Sequence, residues 1–425
     1  MRNTSFLFNK NFDYIKNNLL LNKKNKDMEI SNAIKYIDNY KKNIFKDDLS
    51  FFNDIDLENF DLLEDYISEK IDFKSILPFD ISKNSNVILC LNNNYYIYKG
   101  FSSSIKINSI NIFNPSVFKK LLKFEEENNY KCLNFFYILN NIFSNNGLYI
   151  YIPPNFILKE PIYILNFFST TKNNSIVYPK KFFYSDDNSE VSIVDYYFNK
   201  SSNIANNINT IINLNTYSKM EYYYINNSLL SAFSSYSINV NQKKNSIFKS
   251  NVFSFAGIYN KNYVNIFMLG KKSESSFNGI KYLNSKMSDY SDFNVNHLAD
   301  ETVSTCYFRG LVTDFSKCTF KGSINIDSNV KHALGELKCN ALVMSDSSSV
   351  TLLPKLNIKS YDVNCMHGAT VGFVNEDIIK YMTTRGISRE ESIILFINLF
   401  LCFYIERNNF FYKIVRSILI KTFFI

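Results

Sequence analysis

Tryptophan is absent from this 425-residue chain, and glycine, proline and cysteine are scarce, with 11, 7 and 7 residues. So little glycine and proline excludes a collagen-like chain, and so few cysteines in so long a chain exclude a small disulfide scaffold. The cysteines are odd in number, scattered and without a C-x-x-C pair, which predicts reduced thiols in a cytosol-like compartment. Hydrophobic residues at 46% and charged residues at 20% are typical of a globular chain.

Targeting signals and common ligand-binding motifs are missing as well. The first residues, Met1–Leu21, are interrupted by Lys10, Asp13 and Lys16 and lack the apolar core of a secretory signal. The most apolar stretch, Ile393–Tyr404, is too short to span a bilayer. Neither a phosphate-binding loop nor a G-x-G-x-x-G motif occurs. We therefore expect a cytoplasmic, bacterial type of protein without a membrane partner, and the ambiguous first 30 residues leave a plastid location open.

The net charge of +8 is modest for this length. Asn, Lys, Ile, Phe and Tyr are abundant together, which is typical of codon bias in an AT-rich genome. The basic and aromatic content therefore does not indicate an RNA-binding surface, and we expect no nucleic-acid partner.

Residues 1–146 are expected to form a mostly helical N-terminal region. In Ile55–Ile71 apolar residues recur largely at steps of three and four between carboxylates, which predicts an amphipathic helix. Leu121–Phe143 has a helical pattern too. An apolar run then meets Pro153 and Pro154, and the periodicity changes.

Residues 147–374 are expected to form the β core. The segment Cys318–Ile326 alternates apolar and polar residues with the period of two that a half-buried strand requires. Helical pattern is nearly absent over this region, which excludes βαβ repeats and leaves a sandwich, a barrel or a solenoid. Few junctions resemble tight hairpins, so a solenoid of parallel coils is favoured. Asparagine tolerates the left-handed conformation and can replace glycine at its corners.

Residues 375–425 are expected to form a helical C-terminal region. Asn375 is a candidate N-cap, Arg385-Gly386 a stop, and Ser388–Glu391 a capping box ahead of an apolar run. Phe410–Ile425 is apolar and basic. A helix docked on the solenoid is the plain interpretation of that segment, and a partner-binding surface or a membrane-surface helix are the alternatives.

The histidines His297, His332 and His367 follow one another at equal intervals of 35 residues, so a solenoid could stack them as a metal ladder. The plainer interpretation makes His297 and His332 polar groups satisfied at the β surface. Cys365 and His367 form a closer pair, because alternate residues of a strand project from one face. A thiolate beside an imidazole suits iron, zinc or part of an iron–sulfur cluster. Two ligands do not complete a site, so a structural role and a metal or nucleophile role both stay open.

A β-solenoid enzyme acting on polysaccharide would need paired carboxylates or carboxylate-bound calcium in a groove. Five carboxylates could be arranged in that way, although their spacing is no signature: Asp289, Asp292, Asp300, Glu301 and Asp314.

A longer motif surrounds the Cys365–His367 pair. Tyr361–Gly372 reads Y-D-V-N-C-M-H-G-A-T-V-G, and Tyr381–Ile387 reads Y-M-T-T-R-G-I. Both segments resemble the SufB/SufD family of iron–sulfur cluster assembly proteins, with its patterns D-V-x-C-x-H-G-A-T-x-G and Y-x-x-S-R-G-I. Thr384 stands where serine is usual. Upstream, Pro354–Ile358 resembles the family's P-x-L-x-I strand, and Phe320–Gly322 its F-x-G turn. The resemblance is strong over residues 290–405, moderate from 147, and weak in the first hundred residues.

Within the family, the H-G-A-T form at His367 and the chain length favour the SufD branch over the SufB branch. The resemblance implies a mainly β chain, a right-handed parallel β-helix flanked by N-terminal and C-terminal helical regions. It implies a non-catalytic scaffold subunit that joins a SufB-like subunit and a SufC-like ABC-type ATPase in a SufBCD complex. Cys365 and His367 would then be candidate ligands, at the interface with the SufB-like subunit, of iron or of a transient iron–sulfur cluster shared with that subunit.

The resemblance also implies that residues 375–410 dock the ATPase, and it associates reduced flavin with the complex, although no flavin motif occurs in the chain. Three other functions remain as alternatives: a SufB-like main scaffold, a β-helix polysaccharide-active enzyme, and a purely structural solenoid with a degenerate site.

Overall fold

The chain is mainly β and forms a parallel β-solenoid, as the sequence predicts. The structure, a computed structural model, describes residues 61–62, 81, 85–102, 104–111, 134–144, 146–169, 175–199, 204–227, 233–255, 257–402, 412–414 and 416–417. The strands are β1 (Asp61–Leu62), β2 (Asn86–Leu91), β3 (Asn94–Lys99), β4 (Lys106–Asn111), β5 (Asn146–Ile152), β6 (Ile162–Phe168), β7 (Ser175–Val177), β8 (Lys180–Ser185), β9 (Glu190–Asn199), β10 (Ile204–Leu214), β11 (Lys219–Asn226), β12 (Phe233–Gln242), β13 (Ile247–Ser254), β14 (Tyr259–Met268), β15 (Glu274–Leu283), β16 (Ser288–His297), β17 (Val303–Val312), β18 (Lys317–Ile326), β19 (Ala333–Val343), β20 (Ser349–Ile358) and β21 (Val363–Phe373). The helices are α1 (Phe135–Phe143), α2 (Glu376–Thr384) and α3 (Arg389–Cys402).

Successive strands alternate between two sheets. Sheet A follows the order β20-β18-β16-β14-β12-β10-β8-β5-β4, with β7 beside β10 and β1 beside β7. Sheet B follows the order β21-β19-β17-β15-β13-β11-β9-β6-β2-β3. Each coil therefore contributes one strand to each sheet, and about seven coils stack from β8–β9 to β20–β21. Neighbouring coils pair in parallel, while β3 on β2 and β4 on β5 are antiparallel.

The interior between the two sheets is the hydrophobic core. Along β16 the residues are alternately buried and half-buried, so every second side chain points inward. Aromatic side chains from successive strands meet there, with ring centroids 4.5 Å apart for Phe277 and Phe293 and 4.0 Å apart for Phe308 and Phe320. Such pairs add favourable contact energy to the burial of their area.

Non-glycine residues turn the corners between strands. Asn155, Asn188 and Asn245 have φ of 57°, 55° and 55°, in the left-handed region that asparagine tolerates. The amide of Asn188 donates to the carbonyl of Thr216, and the amide of Asn245 donates to that of Lys271, in each case on the following coil. The expectation that corners form without glycine is confirmed, with asparagine at these three corners and other residues, such as Tyr217 and Lys272, at further ones. The corners hydrogen-bond along the stack.

Two buried ion pairs bridge the sheets through the core. Lys181 on β8 bonds Asp195 on β9, and Lys281 on β15 lies 3.0 Å from Asp289 on β16. The Tyr222 hydroxyl also donates to Asp195, at 2.8 Å. Burial lowers the pKa of Lys181, and the adjacent Asp195 opposes that shift. Each carboxylate is thus paired in a region where an unpaired charge would be costly.

The prediction of helix in the N-terminal region is wrong for those of its residues that form strands in the structure. Asp61–Leu62, inside the helix predicted over Ile55–Ile71, pairs in parallel with β7. The described residues of 86–111 form three further strands, and β2 and β3 are joined by Asn92 and Asn93 with φ of 45° and 67°. That pair is typical of a two-residue hairpin turn.

The helix predicted over Leu121–Phe143 is present as α1, and its earlier part lies outside the described residues. The rest of Ile55–Ile71 lies outside them too. The division of the chain into three regions stays a prediction.

The Phe320–Gly322 segment, expected to be a turn, lies inside β18. A Cβ on Gly322 would lie 2.9 Å from Cε1 of Phe320 and 3.0 Å from both Leu337 Cδ atoms. The glycine is therefore explained by packing, because it leaves room for two inward-facing side chains.

The C-terminal capping signals are confirmed. The Asn375 side chain accepts hydrogen bonds from the amides of Asp377 and Ile378. The helix α2 ends at Thr384 with Arg385 as its C-cap, and Gly386 has a φ of 86°. The Ser388 and Glu391 side chains each accept from the other residue's amide at 3.2 Å, a reciprocal capping box.

The helix that follows this box, α3, packs on sheet B, where the Arg309 guanidinium donates to the Phe400 carbonyl. No helix among the described residues is long and apolar enough to cross a membrane. Most of Phe410–Ile425 lies outside the described residues.

Candidate functional site

The solenoid has an open end at its last coil. Within the described part of the chain, β20 pairs with β18 and β21 with β19, and no later strand continues either sheet. The interior positions of this coil, which are buried in the preceding coils, are half-buried or exposed. They are Val350, Leu352, Pro354, Leu356 and Ile358 on β20, and Val363, Cys365, His367, Ala369, Val371 and Phe373 on β21. We call these eleven residues the open end.

The open end combines apolar side chains with free backbone edges. Ile358, Val371 and Phe373 are 41%, 48% and 68% exposed, although their register positions belong to the core. Pro354 lies in the middle of β20 and has no N–H to donate, which is tolerated in an edge strand. An uncovered apolar end with two unpaired strand edges is a surface suited to another pair of strands.

Cys365 and His367 lie on the same face of β21, as the sequence predicts. They lie opposite Gly335 and Leu337 of β19, both inward-facing positions. Cys365 is half-buried and His367 is exposed, because no further coil among the described residues covers them. The strand thus presents a thiol and an imidazole side by side at the open end.

Gly335 provides the space beneath Cys365. A Cβ at residue 335 would lie 3.0 Å from the Cys365 Sγ and 3.1 Å from Cδ1 of Ile324. Burial raises the pKa of the Cys365 thiol, and a hydrogen bond with the Gly335 backbone opposes that shift. Gly335 was not singled out from the sequence, although a mid-strand glycine in a glycine-poor chain is a signal of close packing.

The other two histidines do not stack with His367. His297 is fully buried at the end of β16, with its Nδ1 2.7 Å from the Thr302 hydroxyl and its Nε2 2.8 Å from the Ser304 hydroxyl. His332 lies at an exposed corner, 3.1 Å from the Asp362 carboxylate. A metal ladder is therefore wrong, because the coils hold these residues in the interior, at a corner and at the open end.

Among the described residues, no group of three or more His, Cys, Asp and Glu side chains could hold a metal ion. Of the cysteines that the structure describes, five are free and four of these are buried. Burial raises the pKa of Cys90 and of Cys339 to about 12, which keeps both as thiols. Among the five cysteines whose side chains the structure describes, Cys365 is therefore the one placed to act as a ligand at a surface.

The five carboxylates considered for a polysaccharide site are not brought together. Asp289 points into the interior, and Asp292 lies on the outer face of β16. Asp300 and Glu301 lie at a corner, each paired with a lysine. Asp314 lies at the corner before β18, where it accepts from the backbone of Ser285. A shared catalytic groove is thus not present among these residues.

The helices after the open end expose apolar side chains. Ile378 and Tyr381 of α2 are 42% and 61% exposed, and Leu395 and Leu399 of α3 are 44% and 60% exposed. Ile379, Ile397 and Leu401 are buried on the opposite side of the same helices.

The chain is similar to known proteins. The family model described as "SUF system FeS cluster assembly, SufBD core domain" matches residues 167–400, more than half of the chain. The iron–sulfur cluster assembly protein SufD of Escherichia coli (strain K12) is 34% identical over 82 residues, which cover 19% of each chain. The iron–sulfur cluster assembly protein SufB of Bacillus subtilis (strain 168) is 29% identical over 96 residues, 23% of this chain and 21% of that protein.

A longer match is the iron–sulfur cluster assembly SufBD family protein ycf24 of Guillardia theta. It is 22% identical over 276 residues, 62% of this chain and 56% of that protein. The matches to the SufD and SufB proteins therefore span about a fifth of those relatives' lengths.

Proposed function

Because this chain belongs to the SufBD family of the SUF system for iron–sulfur cluster assembly, we propose that it is a SufD-like scaffold subunit. Its partner at the open end would be a SufB-like subunit, and the iron or nascent cluster held between them would be substrate. The whole assembly would be a SufBCD-type complex, in which this chain is not itself a catalyst.

The open end is the observation that carries this proposal. The described part of the chain leaves two strand edges and an apolar core uncovered there, and a two-strand coil from another subunit would satisfy both. Strand pairing across that junction would supply backbone hydrogen bonds in both sheets. Cys365 and His367 would then lie in the junction, since they belong to the uncovered coil.

The two side chains would act as ligands for iron or for part of the cluster. Thiolate sulfur and imidazole nitrogen suit iron, and the remaining ligands would come from the SufB-like subunit. Because burial raises the pKa of Cys365, metal capture would release the thiol proton. A rigid coil favours such a shared site, since ligands must be held within a fraction of an ångström.

The exposed apolar face of α2 and α3 is the proposed docking surface for a SufC-like ATPase. Tyr381 and Leu399 are the most exposed of its apolar residues. Arg309, which bonds the Phe400 carbonyl, ties α3 to β17 in the solenoid. An ATPase that moves the helices would therefore also move the coils near the open end. The helices and coils would switch between two arrangements, one of which is favoured by ligand binding.

Co-expression with SufB-like and SufC-like proteins tests the proposal. We expect a three-protein complex to purify with iron and sulfide attached. His367→Ala and Cys365→Ala are expected to lower the iron and sulfide content severalfold while the complex still forms. Thr370→Ala, an exposed outward position on the same strand, is the matched control. Undiminished cluster assembly by the His367→Ala complex would show that the ligand role is wrong.

A SufB-like main scaffold is the second candidate, supported by the match to the Bacillus subtilis SufB protein, which is close in extent to the SufD match. The two functions differ in where the cluster resides. A SufB-like scaffold is expected to carry iron and sulfide when purified alone, whereas a SufD-like subunit is expected to carry them only in the complex.

Reduced flavin and the compartment stay expectations of the proposed function. Flavin absorbance in the purified complex, absent from this chain alone, would place flavin binding with a partner. The free thiols among the described residues fit a reducing compartment such as the cytoplasm.

A further inference from the structure

Asparagine side chains form hydrogen-bonded ladders along the coils. In each of six pairs the amide nitrogen of the later coil donates to the amide oxygen of the earlier coil. The pairs are Asn241 to Asn213 (2.8 Å), Asn265 to Asn239 (3.0 Å), Asn278 to Asn251 (3.0 Å), Asn294 to Asn265 (3.3 Å), Asn325 to Asn296 (3.1 Å) and Asn357 to Asn325 (2.6 Å). The ladders therefore have one direction.

Among the described residues, one of these ladders reaches the last coil, on the outer face of β20. It runs from Asn296 on β16 through Asn325 on β18 to Asn357 on β20. The neighbouring ladder stops earlier, because the residue that follows Asn294 in register is Ser323. The sequence does not predict which asparagines form a ladder, because the number of residues between paired asparagines on neighbouring coils varies, from 26 for one pair to 32 for another.

The direction of this ladder is set at its first member. The Asn296 amide nitrogen lies 3.3 Å from the Ile266 carbonyl, which can only accept a hydrogen bond. The Asn296 oxygen must then accept from Asn325, and the Asn325 oxygen from Asn357. Reversing any one amide would bring two oxygens or two NH₂ groups together. The Asn357 oxygen is left directed at the position of the next coil.

We propose that Asn357 is a specificity-determining residue of the subunit junction, and this inference rests on the proposed function. It selects a partner strand that places a hydrogen-bond donor, such as an asparagine, lysine or arginine side chain, directly beside β20 at residue 357. A partner carboxylate at that position is rejected, because two acceptors would meet.

The ladder also selects the register of that strand. A slip of one residue would turn the partner's outward face inward, and a slip of two would move its donor away from the Asn357 oxygen. The backbone edge of β20 offers no such distinction, because its N–H and C=O groups repeat along the strand.

The test compares Asn357→Ala with Asn364→Ala in the full-length chain, using a co-expressed SufB-like subunit as the probe. Asn364 is an exposed, outward-facing asparagine of the other terminal strand, and its register neighbour on the preceding coil is Leu334, so it belongs to no ladder. We expect Asn357→Ala to weaken association about tenfold, because a hydrogen bond is lost and a partner donor is left without an acceptor. Asn364→Ala is expected to bind as the unchanged chain does.

The outcomes separate the two proposals. If the unchanged chain forms no complex with a SufB-like subunit, the proposed function fails. If the complex forms and Asn357→Ala binds as tightly as Asn364→Ala, the ladder inference alone is overturned. If Asn357→Ala instead weakens self-association of this chain while leaving the SufB-like complex unchanged, the partner assigned to the ladder is wrong. Unfolding of both free variants by urea checks that neither effect comes from loss of the fold.

Discussion

Protonation of His297 is expected to destabilise the solenoid below neutral pH. The Thr302 hydroxyl donates to the Ala299 carbonyl at 3.1 Å, so its oxygen must accept from Nδ1–H of the imidazole. Nε2 then accepts from the Ser304 hydroxyl. The neutral ring is thus fully satisfied, and burial lowers the pKa of His297 from 6.5 to about 4.

The magnitude follows from these two pKa values. Because the unfolded chain binds the proton first, stability falls as the pH drops from about 6.5 towards 4. At pH 5 the loss from this one group is about 2 kcal/mol, and below pH 4 it approaches about 3.4 kcal/mol. The depressed carboxyl groups, such as Glu336, lose their stabilising effect only at lower pH, as pH falls through their own pKa. They therefore contribute little between pH 7 and pH 5.

Urea unfolding at pH 7 and pH 5 measures this loss. The chain has three histidines, and the exposed His367 provides a matched control. His297→Gln is expected to be less stable at pH 7 and to lose most of the difference between the two pH values, whereas His367→Gln keeps it. Equal pH dependence in all three proteins would refute the assignment to His297.

Two further predictions concern the coil interior. Gly335→Ala is expected to lower the free energy of unfolding by about 1–3 kcal/mol through overpacking and to push Cys365 outward. Iodoacetamide should then label the Cys365 thiol faster, as mass spectrometry of the labelled peptides can measure. Gly372→Ala, where a Cβ would meet nothing within 4 Å, is expected to leave the labelling rate unchanged, and equal rates in the two variants would contradict the argument. Lys181→Met is expected to lower the free energy of unfolding by about 3–5 kcal/mol, because it leaves Asp195 buried without its cation. Urea unfolding measures this change, and a loss below about 1 kcal/mol would show that the ion pair is not essential.

Local pattern was enough to predict much of the fold. The alternation of Cys318–Ile326 corresponds to β18, and the caps at Asn375 and Ser388 begin α2 and α3. These features depend on neighbouring residues only. The helix predicted over Ile55–Ile71 failed at Asp61–Leu62, because pairing with β7 involves residues more than a hundred positions away.

The candidate site was predictable only in part. Side chains two residues apart on a strand share a face, so the pairing of Cys365 with His367 followed from the sequence. Their exposure did not, because the alternation of β21 looks like that of a buried strand, and the sequence does not reveal that the described residues hold no following coil. The position of Gly335 beneath Cys365 depends on a coil offset that varies along the chain. Equal intervals of 35 residues between histidines had no structural meaning for the same reason.

The two ends of the solenoid differ in a way that limits how subunits can join. At the first coils the chain supplies its own antiparallel strands, β3 on β2 and β4 on β5. At the last coil β20 and β21 have no such cover among the described residues. A solenoid with both ends open would stack into filaments, since each new subunit would expose another free end. Under the proposed function, a junction made through the open end alone would stop stacking at two subunits, as a site shared between two chains requires.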